Sequence, residues 1–326
     1  MKESCLSERK QMFSVRSDDP SLCRGDRMGY NEKYVCIDIG GTAIKYGLIT
    51  EKGELINRGE RDTESGKGGP SILQKVVEIA EMYCRTESVS GICISTAGMV
   101  DTEKGEIFWA APLIPDYAGI NFKKTLEERF HIPCEVENDV NCAGLAEYVS
   151  GAAVDSPVSL MLTVGTGIGG SILIDGKVFR GFGGSACEVG YMHMLGSDFQ
   201  TLGAASTLTQ KVAGWKQEQD GSWDGHRIFE EAKKGDALCI RAIDEMCDIL
   251  GLGIANICYV VNPEVVVFGG GIMAQEEFLK KRIERAVEKY LIPSIASRTR
   301  IAFAKHRNDA GMLGAFYHFC QCRENR

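Results

Sequence analysis

The chain of 326 residues is 44% hydrophobic and 25% charged, with a formal net charge of −8 at pH 7, the composition of an ordinary water-soluble globular protein. The acidic balance excludes the basic field of a nucleic-acid surface, and no uninterrupted apolar run is long enough to span a bilayer. A cytoplasmic protein acting on a small molecule is expected, with neither nucleic acid nor membrane as partner.

The length exceeds what one core usually holds, so two lobes with a cleft between them are expected. Thirteen cysteines are an odd number, and most lie in apolar segments, Cys36, Cys93, Cys142 and Cys258 among them. They read as buried thiols of a reducing compartment. The one close pair, Cys320-Gln-Cys322, reads as chance, and no zinc spacing is present.

Residues 1–31 are polar and without hydrophobic period, which predicts a disordered N-terminal extension. Residues 35–39 and 44–49 read as two strands around Gly40, Gly41 and Thr42, where glycines able to take positive φ allow a tight turn. Such a turn leaves amides uncovered for a phosphate, and the Thr42 hydroxyl adds a donor. Asp38 then stands beside the cradle, where a carboxylate suits a magnesium ion shared with phosphate oxygens. A plain hairpin with a turn-capping aspartate explains this stretch equally well.

A third strand at 55–60 makes a meander, 63–70 a loop and 71–85 a helix with one charged face. The strand at 89–95 runs into Thr96-Ala-Gly-Met-Val-Asp101, a glycine loop at a strand's C-terminal end, where α/β folds place ligands. A loop marked by Pro112 and Pro115, a helix at 122–130 and a strand at 133–137 lead to Glu137-Asn-Asp-Val-Asn-Cys-Ala-Gly-Leu-Ala-Glu147. Either Asn138 or Asp139 caps a helix through Glu147. Alternatively the two supply a donor–acceptor pair and a base.

The second half repeats the first. A strand at 158–164, the turn Gly165-Thr-Gly-Ile-Gly-Gly170 and a strand at 171–175 are followed by a turn at Asp175-Gly176 and residues 177–179. Two such units predict a duplicated fold with one phosphate loop from each lobe facing a shared cleft. The spacing also satisfies a dinucleotide fingerprint, with Glu188 near the ribose-binding position, but residues 171–176 read as strand and turn where that motif needs a helix. No G-x-x-x-x-G-K-[ST] sequence occurs.

Residues 181–191 form a glycine-rich loop containing Glu188 and Tyr191. A carboxylate there is either an ordinary solvated one or a ligand for a polyol. His193, without partner ligands, reads as structural. Helices are expected at 205–216, 225–234 and 237–259, then a strand at 263–268 ending in Gly269, Gly270 and Gly271. That triplet is either a helix-entry loop or an approach for an adenine-ribose moiety. A helix at 275–290, a strand at 300–304 and a helix at 310–322 complete the chain.

Seven ordered motifs, Asp38-Ile-Gly-Gly-Thr-Ala-Ile-Lys45, Ser95-Thr-Ala-Gly98, Glu137-Asn-Asp-Val-Asn-Cys-Ala143, Gly165-Thr-Gly-Ile-Gly-Gly170, Glu188-Val-Gly190, Phe268-Gly-Gly-Gly271 and Asp309-Ala-Gly-Met-Leu-Gly314, together resemble the ROK family of sugar kinases in the actin-like/hexokinase/Hsp70 ATPase superfamily. The resemblance implies a two-lobed α/β, ribonuclease H-like fold with a duplicated β-meander and the active-site cleft between lobes. Residues 32–146 and 306–326 would form the small lobe and 147–305 the large one. It implies Asp139 as the base for the sugar hydroxyl, Asn138 positioning the sugar, Glu188 binding its hydroxyls and Gly98 lining the pocket. Gly40, Gly41, Thr42, Thr166 and Gly167 would hold the ATP phosphates, with Lys45 in the same nucleotide-binding group. Asp38 would orient magnesium, and Gly269, Gly270 and Gly271 would meet the nucleoside.

The chain departs from the family pattern where many members have Gly-His followed by a cysteine-rich zinc motif. Here Gly190 is followed by Tyr191, and residues 197–209 hold no cysteine. The implied reading is a zinc-free branch with Tyr191 in the histidine's place at the sugar. The expected activity is ATP-dependent phosphorylation of a hexose 6-hydroxyl, on glucose, a β-glucoside or N-acetylmannosamine. The alternative is a catalytically inactive sugar sensor. A repressor is disfavoured, because the 37 residues before Asp38 are too few for a winged helix-turn-helix. A homodimer is the family-based expectation.

Overall fold

Each of the two glycine-broken hairpins seeds a five-stranded sheet, and the two sheets have the same strand order. The computed structural model describes residues 32–324 apart from Asp220, so the expected extension at 1–31 lies outside the described residues. Strand β1 (Lys33–Ile39) is buried along most of its length, as its continuous apolar run requires. It pairs antiparallel with β2 (Ala43–Thr50), which pairs antiparallel with β3 (Leu55–Asp62). Helix α1 (Gly69–Cys84) then crosses over to β4 (Val89–Thr96), parallel to β1. A small hairpin of β5 (Met99–Asp101) and β6 (Glu106–Trp109) precedes α2 (Phe122–Phe130), which Asn121 caps through the Lys124 amide. Strand β7 (Cys134–Asn138) adds parallel to β4 and leads directly into α3 (Asp139–Ser150). The order is β3-β2-β1-β4-β7.

The second sheet repeats this plan with β8 (Val158–Val164), β9 (Ile168–Ile174) and β10 (Lys177–Val178) as the antiparallel meander. Strands β11 (His193–Met194) and β12 (Ser197–Asp198) form a separate ribbon. Helices α4 (Phe199–Gly203), α5 (Ala205–Lys216), α6 (Gly225–Lys233) and α7 (Ala237–Val261) lead to β13 (Val265–Gly269), parallel to β8. After α8 (Glu276–Tyr290) and α9 (Pro293–Ala296), β14 (Arg300–Phe303) pairs parallel with β13, giving β10-β9-β8-β13-β14. The chain ends in α10 (Ala310–Glu324), which returns to pack on β1, β4 and β7.

Three large cores, with a small cluster of Leu145, Leu173 and Val178 beside them, hold this together. Helices α1 and α2 cover one face of the first sheet with Ile72, Val76, Ile79, Phe122 and Leu126. Helices α4 to α8 cover one face of the second with Phe199, Ile228, Leu250, Ile254 and Ile283. Between the sheets, α3 and α10 bury Cys142, Ala146, Phe316 and Phe319 against Tyr34, Cys36, Cys93, Val265 and Val267. The two helices touch backbone to backbone, since a Cβ at Gly314 would lie 1.8 Å from the Cys142 carbonyl oxygen. Among the described residues every cysteine is a free thiol, and burial pushes the Cys93, Cys134 and Cys142 thiols well up from the usual range.

Several local expectations are corrected. Helix α1 begins at Gly69 with Pro70 in its first turn, because proline's missing N–H costs nothing there. The stretch after Thr96 is partly a hairpin. Strand β9 starts at Ile168, so the run of glycines at 165–170 is half turn and half strand. Gly169 is needed there, its Cβ position lying 2.6 Å from Val140 of α3. Neither Gly40 nor Gly41 takes positive φ; openness around Gly41, not a left-handed backbone, is what distinguishes that turn. Helices α4 and α9 are too short to show a period. His193 stands exposed on β11. No helix of the described residues is long and apolar enough to cross a membrane.

Candidate active site

The centre of the site is the junction of β7 and α3. Asn138 is the helix cap, its Oδ1 accepting from the amides of Val140 and Asn141 at 2.9 and 3.1 Å. Its Nδ2 donates to the Gly98 carbonyl at 3.0 Å and to Asp139 Oδ1 at 2.9 Å. All four hydrogen-bonding positions of the amide are therefore occupied within the protein. What Asn138 fixes directly is the Asp139 carboxylate. Asp139 opens α3 beside β9, because the next residue, Val140, packs on Gly169. Burial, the negative charge of Asp38 and, more weakly, that of Glu188 push its pKa up to about 7, despite hydrogen bonding from the Val140 amide. A carboxylate with that pKa is matched to proton transfer near neutrality.

Asp38, the last residue but one of β1, lies directly opposite Lys45 on β2. Burial raises its pKa, against a hydrogen bond from the Ser95 hydroxyl to Oδ1 at 2.6 Å and the Lys45 charge. The first turn of α10 presses on it, since a Cβ at Gly311 would lie 2.3 Å from the Asp38 carboxylate. The Lys45 ammonium itself reaches Asn308 Oδ1 at 3.2 Å.

Buried Thr63 braces the first glycine turn, its hydroxyl donating to the Gly40 carbonyl at 2.7 Å and its amide to that of Thr42 at 2.8 Å. Around a Cβ placed at Gly41 there is nothing within 4 Å. The turn at Gly165, Thr166 and Gly167 is its counterpart. The carbonyls of Gly165 and Thr166 accept from the Ala205 amide and the Ser206 hydroxyl at the start of α5, at 2.9 and 2.7 Å. Positions 165 and 271 are open like 41, whereas a Cβ at Gly167 would meet Gln200 Oε1 at 2.6 Å. Gly270 has φ +102° and a Cβ there would lie 2.2 Å from the Val164 carbonyl oxygen. Its glycine is thus demanded by the neighbouring strand, while Gly271 faces open space; Gly269 belongs to β13.

Joined to Asp139 through Asn138, Gly98 turns β4 into β5 with φ +97°. Glu188 is exposed as a residue, yet desolvation by the surrounding protein raises its pKa. Tyr191, at the end of a short 3₁₀ turn, lies edge-on to Trp109 with ring centroids 6.0 Å apart.

Behind the site lies a group that sequence reasoning did not single out. Glu137 is buried, and Arg180 closes on its Oε2 through Nε at 3.1 Å and through Nη2. Its Oε1 accepts from the Asn138 amide at 2.8 Å and from Asn141 Nδ2 at 3.0 Å. Buried His318 of α10 stands 3.8 Å from the same carboxylate. Burial opposes the charge of Glu137, but His318, Arg180 and these hydrogen bonds together hold its pKa below the usual carboxylate range. Glu137 sits within a quoted motif, whereas Arg180 and His318 carry no local signal.

Among the described residues, Glu135, His318 and Cys322 bring their side-chain ends as close together as the ligand atoms of a metal ion. Glu135 already holds the Lys123 ammonium at 2.8 Å. Two surface hollows, one bordered by Glu284 and Arg300 and the other by Lys211 and Asp244, share no residue with the Asp139 cluster.

The chain is similar to known proteins along most of its length. The ROK family profile matches residues 34–321. An uncharacterised protein of Clostridium perfringens is 50% identical over 88% of this chain and 97% of its own length. A β-glucoside kinase of Listeria monocytogenes is 34% identical over 90% of this chain and 99% of its own. The crystal structure of a ROK family glucokinase from Streptomyces griseus, in complex with glucose and AMPPNP, superposes with a TM-score of 0.76 at 24% identity, covering 87% of this chain and 97% of that one.

Proposed function

The chain belongs to the ROK family, and from that we propose that it is an ATP-dependent sugar kinase transferring phosphate to a hexose 6-hydroxyl, with Asp139 as general base. The observation that carries the reading is the Asp139 carboxylate, with Oδ1 pinned by Asn138 and a pKa of about 7, set among two open glycine turns. In this reading the 6-hydroxyl donates its proton to Asp139 as its oxygen bonds to the γ-phosphorus and the bond to the ADP oxygen breaks. Glu188 and the wall formed by Gly98 orient the ring, and Tyr191 stands beside them. The turns at Gly40, Gly41 and Thr42 and at Thr166 and Gly167 receive the phosphates, with Lys45 near the first, and Gly271 leaves room for the nucleoside.

Magnesium would be held by Asp38, whose Oδ1 is engaged by Ser95 while Oδ2 remains for a cation or its water. Bound with ATP, magnesium neutralises part of the phosphate charge. The acceptors proposed are glucose, a β-glucoside or N-acetylmannosamine, the enzyme acting as a homodimer whose small lobe comprises residues 32–146 and 306–326.

The test is ADP release from Mg-ATP with glucose, mannose, fructose, N-acetylglucosamine, N-acetylmannosamine and cellobiose, each against a no-sugar blank and Asp139→Ala. Sugar-dependent release that disappears in the variant supports the reading. Release unaffected by Asp139→Ala would falsify the assignment of the base.

A further inference from the structure

The residues around Asp139 lead, through Gly98 on one path and Glu188 on the other, to a pair of aromatic rings. Asn138 Nδ2 bonds both Asp139 and the Gly98 carbonyl. A Cβ at Gly98 would lie 2.9 Å from the Trp109 carbonyl oxygen. The Trp109 ring meets Tyr191 edge-on, the Tyr191 amide donates to the Glu188 carbonyl at 3.2 Å, and the Glu188 charge acts back on Asp139. Polar groups suited to one hexose occupy the Asp139 side. Trp109 and Tyr191 adjoin these groups through Gly98 and Glu188, and they are 40% and 44% exposed.

Two more aromatic side chains stand on the same loops. Phe108 is 42% exposed, and a Cβ at Gly184 would lie 3.7 Å from its ring, which brings the 181–188 loop against β6. Phe182, in that loop, is fully exposed. Single exposed apolar residues need no explanation, but several bordering one polar site mark a place where apolar surface is covered on binding. The C–H face of a sugar ring or an aryl group fits such an edge, because flat aromatic rings bury large area with little loss of side-chain freedom.

We propose that Trp109 and Tyr191, flanked by Phe108 and Phe182, form a second acceptor subsite for a ring carried on the hexose's anomeric oxygen. The preferred acceptors are then glycosides phosphorylated on the 6-hydroxyl of their terminal hexose, rather than free hexoses. This rests on the kinase reading for its chemistry, but the subsite is a matter of binding and can be measured without turnover.

The experiment is calorimetric titration of the full chain, with ADP and magnesium present, using glucose, phenyl β-D-glucopyranoside and cellobiose. The glycosides are expected to bind about tenfold more tightly than glucose, the worth of one good ring contact. Trp109→Ala should abolish that ratio, Trp109→Phe should keep most of it, and Phe182→Ala, a change at a fully exposed side chain, should reduce it without affecting folding. Equal binding of glucose and glycosides by the unmodified protein, or a ratio unmoved by Trp109→Ala, overturns the proposal. So does a change in sedimentation of Trp109→Ala with the ratio intact, which would assign the rings to self-association. A Trp109-dependent ratio in a protein that phosphorylates no sugar leaves the subsite standing and removes the kinase reading. Asp139-dependent phosphorylation of glucose with no such ratio does the reverse.

Discussion

Arg180, on the loop after β10 of the second sheet, closes with two nitrogens on Glu137, at the end of β7 in the first. The contact therefore ties the loop carrying Glu188 to the segment carrying Asn138 and Asp139. Glu137 is 1% exposed in its side chain and Arg180 32%, so removing the arginine strands a buried charge while removing only a half-buried one. Arg180→Ala is expected to destabilise the protein by roughly 2 to 4 kcal/mol, measured by urea unfolding at pH 7. Because the Glu137 pKa is depressed, its stabilisation is present above the unfolded carboxylate pKa and is lost as pH falls through the folded value. The deficit of Arg180→Ala should therefore shrink in acid. A deficit that is absent at pH 7 contradicts this account of the pair.

Asp139 has the opposite sign. Its pKa is raised to about 7, so the folded state favours its protonated form, and stability is lost as pH rises from the unfolded value toward 7. The isosteric Asp139→Asn does not suffer this loss. Its melting temperature, relative to the unmodified protein, should rise between pH 4 and 7 and level off above 7. A difference that stays flat across that range would show that the carboxylate is not perturbed.

The same group sets the expected kinetics. Asp139→Ala should lower kcat by roughly two to four orders of magnitude while leaving ATP affinity within a fewfold. For the unmodified enzyme, kcat/KM for the sugar should rise with pH to an apparent pKa near 7, where the base becomes ionised. Stopped-time ADP assays from pH 5 to 9 and nucleotide titration of the variant check both statements.

Two glycines separate fold from function. A Cβ at Gly41 meets nothing within 4 Å, whereas one at Gly270 runs into the Val164 backbone at a residue with φ +102°. Gly41→Ala should leave unfolding free energy within about 0.5 kcal/mol and raise the KM for ATP. Gly270→Ala should cost at least about 2 kcal/mol through strain and overpacking. Equal destabilisation in the two variants would contradict the open-turn geometry.

Gly311 lies directly against Asp38. An added methyl would lie 2.3 Å from the carboxylate, a side-chain end that can move. Gly311→Ala should therefore lower kcat/KM for Mg-ATP by roughly ten- to a hundredfold with binding of sugar unchanged, as steady-state kinetics and calorimetry can show.

Reading residues in order was sufficient for the repeated strand–glycine turn–strand unit, because apolar runs and turn glycines are local and the two sheets repeat them in the same order. It was also sufficient for the family, since motifs such as Glu137-Asn-Asp and Gly165-Thr-Gly survive as short strings. The cap at Asn138 is local, its Oδ1 meeting the Val140 and Asn141 amides. The raised pKa of Asp139 is not local, since it comes from burial and from the charge of Asp38 in a distant strand. The Glu137–Arg180 pair and the Trp109–Tyr191 edge likewise join residues far apart in the chain. Burial and Coulomb interactions depend on distance in space, which neither period nor spacing encodes, so the raised pKa of Asp139, the Glu137–Arg180 pair behind it and the Trp109–Tyr191 contact belong to the tertiary structure.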